Sequence, residues 1–143
     1  MAPTTQHKAH IQEHIQELHD AIAIGIDKRP ATIALHTSAC SISLLELYLH
    51  KLEKISVGTV IKHEWFKAPK PEQKILPLAE RKLGCVFPDR DALFSLMYVI
   101  EEHRNKLVYG KPTNTVVQEV LVAFDKLHSI IKKHLADRGE EIA

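Results

Sequence analysis

The sequence predicts an all-α fold: an antiparallel bundle of four long helices plus a short one, spanning residues 1–143 as a single domain. Three observations carry this. Apolar residues recur every three to four positions over four long stretches, the period of an amphipathic helix. Only five glycines occur, too few for the many tight turns of an all-β fold. The length, 143 residues, suits one hydrophobic core.

The first helix is marked by Ile11, Ile15, Leu18, Ile22 and Ile26. Thr4 or Thr5 can cap its start, and Pro30 lies just past its end. The second helix is expected from Ala31 to Ile55, closed by Ser56, Val57 and Gly58. It carries two apolar stripes: Leu35, Ile42, Leu45, Leu49 and Leu52 on one, and Ile33, Cys40, Leu44, Leu47 and Ile55 on the other. A helix apolar on two sides must be covered on two sides, so it either sits at the centre of the bundle or meets a second subunit. The stretch from Thr59 to Pro71 has no clear period and reads as a long connection. A short helix follows over Glu72–Leu83, weakened by Pro77 and closed by Gly84.

The fourth helix begins after Phe87-Pro88, with Asp89 as its N-cap and Asp91 near the positive end of its dipole. Leu93, Leu96, Met97, Ile100 and Leu107 form its inner stripe, and Gly110-Lys111-Pro112 stops it. Thr115-Val116-Val117-Gln118 is a capping-box candidate for the last helix. That helix buries Val117, Val120, Leu121, Phe124, Leu127, Ile131 and Leu135. No internal repeat is visible.

Composition narrows the function. Hydrophobic residues make up 45% and charged residues 26%, an ordinary soluble mixture. The net charge of +1 creates no global field toward nucleic acid or acidic membranes, so any basic surface is local. Cys40 and Cys85 are far apart and form no Cys-x-x-Cys pair, which argues against a zinc ribbon or a redox motif; both read as buried free thiols. No hydrophobic secretory region follows Met1-Ala2-Pro3-Thr4-Thr5. The longest uncharged run, Ala31–Leu45, is too short and too polar to span a bilayer. The expectation is a cytoplasmic protein without membrane contact, metal or cofactor.

The most informative stretch is Glu101-Glu102-His103-Arg104-Asn105-Lys106-Leu107-Val108-Tyr109-Gly110. Arg104 falls four residues after Ile100 and seven after Met97, within the inner stripe. A lone buried charge is costly, so Arg104 needs a carboxylate, a phosphate or a cleft. Its planar fork of five donors suits phosphate best. An internal ion pair with Glu101, Glu102 or another acid is the alternative.

This stretch resembles the signature of the HEPN family (higher eukaryotes and prokaryotes nucleotide-binding), in which an arginine is followed by a polar residue, three more residues and a histidine. Arg104, Asn105, Leu107, Val108 and Gly110 fit; Tyr109 stands where the family's ribonucleases keep histidine. The resemblance implies a homodimer with two motifs facing each other. It gives Arg104 and Asn105 the holding of a nucleotide or RNA phosphate, with Glu102, His103 and Lys111 beside them as ligand contacts. It also makes Arg104, Asn105 and Tyr109 a degenerate catalytic set. A phenol titrates near about 10 and an imidazole near about 6.5, so tyrosine is a poor base near neutrality. Moreover, five residues of regular helix rotate the chain by about 500°, which points Tyr109 away from Arg104. Some family members pair with a minimal nucleotidyltransferase in toxin–antitoxin modules, which makes such a protein a candidate partner. The tyrosine that is modified there lies two residues beyond the motif histidine, where this chain has Lys111.

Weaker signals remain. His7, His10 and His14 share one side of the first helix, a spacing open to a metal ion but unaccompanied by a completing ligand; a solvated helix start is the expectation. His63-Glu64-Trp65-Phe66-Lys67 lacks the second histidine of a zinc-protease motif. Lys62, Trp65, Lys67 and Lys70, with His63, Phe66 and Lys74, interleave cations and aromatics as single-stranded RNA binders do; a buried tryptophan among solvated lysines is the plainer reading. Three functions stay open: a phosphate-binding homodimer with a degenerate catalytic motif, an active metal-independent endoribonuclease, and a non-catalytic helical interaction module with a structural Arg104.

Overall fold

The second of the four long helices decides the architecture. In the computed structural model, which describes residues 4–56 and 59–143, the chain forms α1 (Thr4–Ile24), α2 (Pro30–Lys51), a 3-10 turn (His63–Trp65), α3 (Leu78–Lys82), α4 (Arg90–Tyr109) and α5 (Asn114–Asp137). There is no strand among the described residues. Helix α2 packs against α1, α4 and α5. Ile33, Cys40, Leu44, Leu45, Leu47, Tyr48 and Leu49 are all buried, so most of both apolar stripes is covered within one chain, Leu35 and Ile42 at one end excepted. Its two-sidedness therefore needs no second subunit. By length and composition α2 is also apolar enough to cross a membrane, contrary to the expectation from its uncharged run; 67% of its most apolar stretch is buried inside the bundle.

Polar residues are tolerated on this central helix because they bond to it. Thr37 Oγ1 donates to the Ile33 carbonyl at 2.8 Å, and Ser41 Oγ donates to the Thr37 carbonyl at 2.6 Å. The hydroxyls of Thr37 and Ser41 are thus satisfied inside the core.

Several boundaries differ from expectation, each for a local reason. Helix α1 stops at Ile24 because Gly25 takes φ +132, a left-handed conformation. Ile26 thus lies beyond the helix and Ile22 is exposed. Pro30 does not end α1; it opens α2 at its first position, where its missing N–H costs nothing. The short helix starts only after Pro77, since the residue before a proline is driven out of helical geometry. Asp89 occupies the N-cap position of α4 but makes no side-chain cap bond. It sits at φ 62, and its carboxylate meets His134 Nε2 at 2.7 Å instead. For α5 the cap is Thr113, which accepts from the Val116 N–H at 3.2 Å; Thr115 lies inside the helix. Of the two thiols, Cys40 is buried and Cys85 half-buried; both are free.

Helix α2 ends at Lys51, well before Ile55; Val57 and Gly58 lie outside the described residues. The cause is a Schellman closure: Glu53 N–H donates to the His50 carbonyl and Lys54 N–H to the Leu49 carbonyl at 2.9 Å. The residue at the left-handed position is Glu53, φ 58. Helix α5 closes the same way with Gly139 at φ 77, and Glu140 N–H donates to the Leu135 carbonyl at 2.8 Å. One cap uses glycine and the other does not. Replacing Glu53 by Gly should therefore raise stability by about 0.5–1 kcal/mol, the left-handed penalty less the entropy that glycine adds to the unfolded chain. Urea unfolding of the two proteins checks this.

Candidate functional site

The connection between α2 and α3 is pinned to the bundle at two side chains. Ile61 and Phe66 are buried. Phe66 packs edge-on against Phe94, with ring centroids 5.6 Å apart. The Ile61 N–H donates to Glu46 Oε2 on α2 at 3.0 Å. Burial raises the Glu46 pKa, and that backbone N–H works against the rise. Between these anchors the 3-10 turn sets His63 beside α4. His63 Nδ1 lies 2.9 Å from both carboxylate oxygens of Glu101, and Nε2 lies 3.1 Å from Glu64 Oε2.

Glu101 is a buried carboxylate, and burying an acid without a partner is costly. His63 is that partner. Glu101 orients the ring through Nδ1, and Nε2 meets the Glu64 carboxylate on the other side. This carboxylate–imidazole pair is the arrangement that orients a histidine for proton transfer.

His63 lines a cleft of about 680 Å³ together with His14 of α1, Leu35, His36 and Ile42 of α2, Lys62 and Glu64 of the turn, and Arg104 of α4. Leu35 is exposed and Ile42 only partly buried, so this end of the α2 stripe faces the cleft rather than the core. The volume is that of a small-molecule site. His14 Nδ1 and His36 Nδ1 are 2.9 Å apart. One must donate and the other accept, so the pair is built to hold one proton between two rings. Burial, with His36 second, lowers the His14 pKa.

Arg104 is half-buried rather than a member of the inner stripe; its neighbours Glu101 and His103 are the buried ones. Arg104 lines the cleft. The ion pairs foreseen with Glu101 and Glu102 do not form. Glu101 is taken by His63, and Glu102 meets Lys106 at 3.5 Å. Among the described residues Arg104 makes no ion pair, and its one side-chain hydrogen bond is a long one, 3.4 Å from Nη1 to Asn105 Oδ1.

The other motif residues scatter. His103 turns toward α5, where Nε2 meets Glu119 at 2.8 Å. Asn105 and Glu102 border a separate hollow beside Phe66 and Tyr98. Tyr109, the last residue of α4, is 78% exposed and lines no cleft described here. Lys111 is exposed beyond the helix. Of the cation–aromatic set, Lys62 reaches the cleft, whereas Lys67 and Lys70 are solvated. Trp65 is partly buried against the core, with the Lys82 ammonium 5.8 Å from its ring centre, and Phe66 is buried. Phe66 is thus used in packing, and Trp65 in part.

Sequence reasoning named His14 only on a histidine face, His63 only beside the cation–aromatic set and Glu101 only as a possible partner of Arg104; it missed His36 and both pairings. The contacts join positions 38 and 22 residues apart, and no period links them. The expected solvated histidine face is also corrected at one point: His7 is buried, and neither ring nitrogen has a protein hydrogen-bond partner.

Comparison with protein-family models, curated proteins and solved structures gives no match. The fold and cleft define an all-helical bundle with a ligand-sized, imidazole-lined cleft to which an arginine also contributes.

The buried histidines set a pH dependence. The His7 pKa is lowered, first by burial and then by His50, and the His14 pKa is lowered as above. A folded pKa below the ordinary imidazole value means that the unfolded chain binds the extra proton first. Their contribution is complete above about pH 6.5 and is lost progressively as pH falls below it toward the folded pKa values. Urea unfolding across this range should show stability falling on the acid side. His7→Leu, which removes an unpartnered buried ring, should raise stability and shallow that fall.

Proposed function

We propose that this protein is a HEPN-like binder of nucleotide or RNA phosphate, and that Arg104 binds the phosphate in the imidazole-lined cleft. The observation that carries the reading is the half-buried Arg104 lining the cleft, with no carboxylate paired to it among the described residues. A guanidinium forms two parallel bonds to a phosphate, and a partly dry cleft strengthens them. Lys62 adds a second cation, while Leu35 and Ile42 offer an apolar wall to a base. Asn105 supports the same reading through its contact with Arg104. Tyr109 takes no part, being exposed at the helix end.

In this reading two copies pair and the protein is cytoplasmic. Support for pairing comes from the groove between α4 and α5, where Leu96, Val99 and Val122 leave apolar surface. Light scattering at micromolar concentration should give twice the chain mass, and Val122→Glu should halve it.

A charge-assisted hydrogen bond contributes about 1.5–3 kcal/mol. Arg104→Ala should therefore weaken binding of short single-stranded RNA of randomised sequence by about ten- to a hundredfold at fixed salt. Arg104→Lys should fall between, since lysine lacks the fork. Unchanged RNA binding with a loss of thermal stability would instead make Arg104 a structural residue.

A further inference from the structure

Three imidazoles line the cleft with Arg104, and they are not equivalent. His63 is occupied on both sides: Nδ1 lies 2.9 Å from both Glu101 oxygens, and Nε2 lies 3.1 Å from Glu64. Among the described residues, the one side-chain hydrogen bond of His14 and His36 is the bond they share, Nδ1 to Nδ1 at 2.9 Å. That contact fixes what the outer nitrogens offer. The ring that donates through Nδ1 carries no proton on Nε2 and can only accept there. The ring that accepts through Nδ1 carries its proton on Nε2 and can only donate there. A neutral pair therefore presents one donor and one acceptor.

A phosphodiester has acceptor oxygens only. It satisfies the donor nitrogen and leaves the bare one against an anion. A phosphomonoester that keeps its second proton offers both partners, an oxygen to the donor and a hydroxyl to the acceptor. That proton leaves with a pKa of about 6, so it is within reach near neutrality. Charge points the same way. Among the side chains that line the cleft, Arg104 and Lys62 outnumber Glu64 by one charge, which suits a monoanion. A volume of about 680 Å³ with Leu35 and Ile42 on its wall suits one nucleotide rather than a run of them.

We propose that the cleft takes a terminal phosphate, the phosphomonoester of a nucleotide or of an RNA end, in its singly charged form, with Arg104 on its oxygens and the His14–His36 pair reading its hydroxyl. This rests on the phosphate-binding reading above and deepens it. Pair and ligand together hold one proton more than the neutral pair and the dianion, whether it sits on oxygen or on Nε2. Above the phosphate's own pKa that proton comes from solvent, so binding takes it up. The other titratable and charged groups around the pair are His10 and Glu13 of α1, Lys62, His63 and Glu64 of the turn, and Arg104 of α4. Burial, with His36 second, lowers the His14 pKa, which keeps that ring neutral near pH 7 in the free protein.

Calorimetric titration of the full chain, in two phosphate-free buffers of different ionisation enthalpy, reads affinity and protons together. The probes are nucleoside 5′- and 3′-monophosphates, their methyl diesters, and a short RNA of randomised sequence with either phosphate or hydroxyl at both ends. At pH 6 a monoester should bind about tenfold or more tighter than its methyl diester. At pH 7 it should take up about one proton per ligand, and its affinity should fall about tenfold per pH unit above that. The double variant His14→Phe, His36→Phe keeps ring volume and removes every nitrogen of the pair. It should abolish both the preference and the proton uptake while diester binding holds. His36→Leu alone breaks the shared bond and should lower the preference in the same direction, which covers the case in which the double variant does not fold. Arg104→Ala should weaken monoester and diester alike.

Binding of free monophosphates alone, or of RNA only when its ends carry phosphate, supports the proposal and shows which source the cleft takes. Equal affinity for monoester and diester, absence of proton uptake, or uptake that persists in a folded histidine variant overturns it and leaves phosphate binding standing. So does RNA bound without regard to its ends when no monophosphate binds. Failure of every probe to bind overturns both readings.

Discussion

Everything in this molecule follows from the need to cover α2 on all sides. A helix with apolar residues around most of its circumference cannot remain in water, and α1, α4 and α5 between them enclose it. The short turns after α1 and α4 make two helical hairpins, and α2 lies against both helices of the second hairpin. The hydroxyls of Thr37 and Ser41 bond to carbonyls of α2 itself, so these polar residues do not open the core. The chain must then pass from the end of α2 to the start of α4 across the outside of this packing. It does so through a connection anchored by Ile61 and Phe66.

That anchoring creates the cleft. With Ile61 and Phe66 fixed, His63 has little freedom, and it lands on the buried carboxylate of Glu101. The carboxylate needs a donor and the imidazole is held by it, so each fixes the other. The first turns of α2 are left less covered here than elsewhere, as the exposure of Leu35 shows. His14, His36 and Arg104 come from three different helices and border the same space. The positive and titratable groups of the cleft thus meet through packing, although they lie apart in the chain.

The motif on α4 is reorganised by this geometry. Five consecutive residues, Glu101 to Asn105, are shared among three environments: the His63 contact and the cleft, the α5 side, and the hollow beside Phe66. A helix rotates by about 100° per residue, so successive motif positions face different directions while the chain stays helical. It stays helical to Tyr109. Arg104 therefore finds its company across space rather than along the motif.

Much of the fold was legible in the sequence because helical period is a local property. The inner residues of α4 and α5, the central position of α2 and the irregular connection all follow from spacing of apolar side chains. Boundaries were less legible where a single residue had two uses. Pro30 can end one helix or begin the next, and Asp89 can cap α4 or bond to His134; only packing chose. Arg104 stood out as a charge on the inner stripe in need of a carboxylate, a phosphate or a cleft; it is half-buried and lines a cleft. What tertiary structure alone decided was the company it keeps. His63 and Glu101 are 38 residues apart and His14 and His36 are 22 apart, on elements whose relative placement no local pattern encodes. Sequence by itself determined which helix faces are apolar; the burial of α2 determined which polar side chains meet, because contact between distant residues is set by how those faces pack.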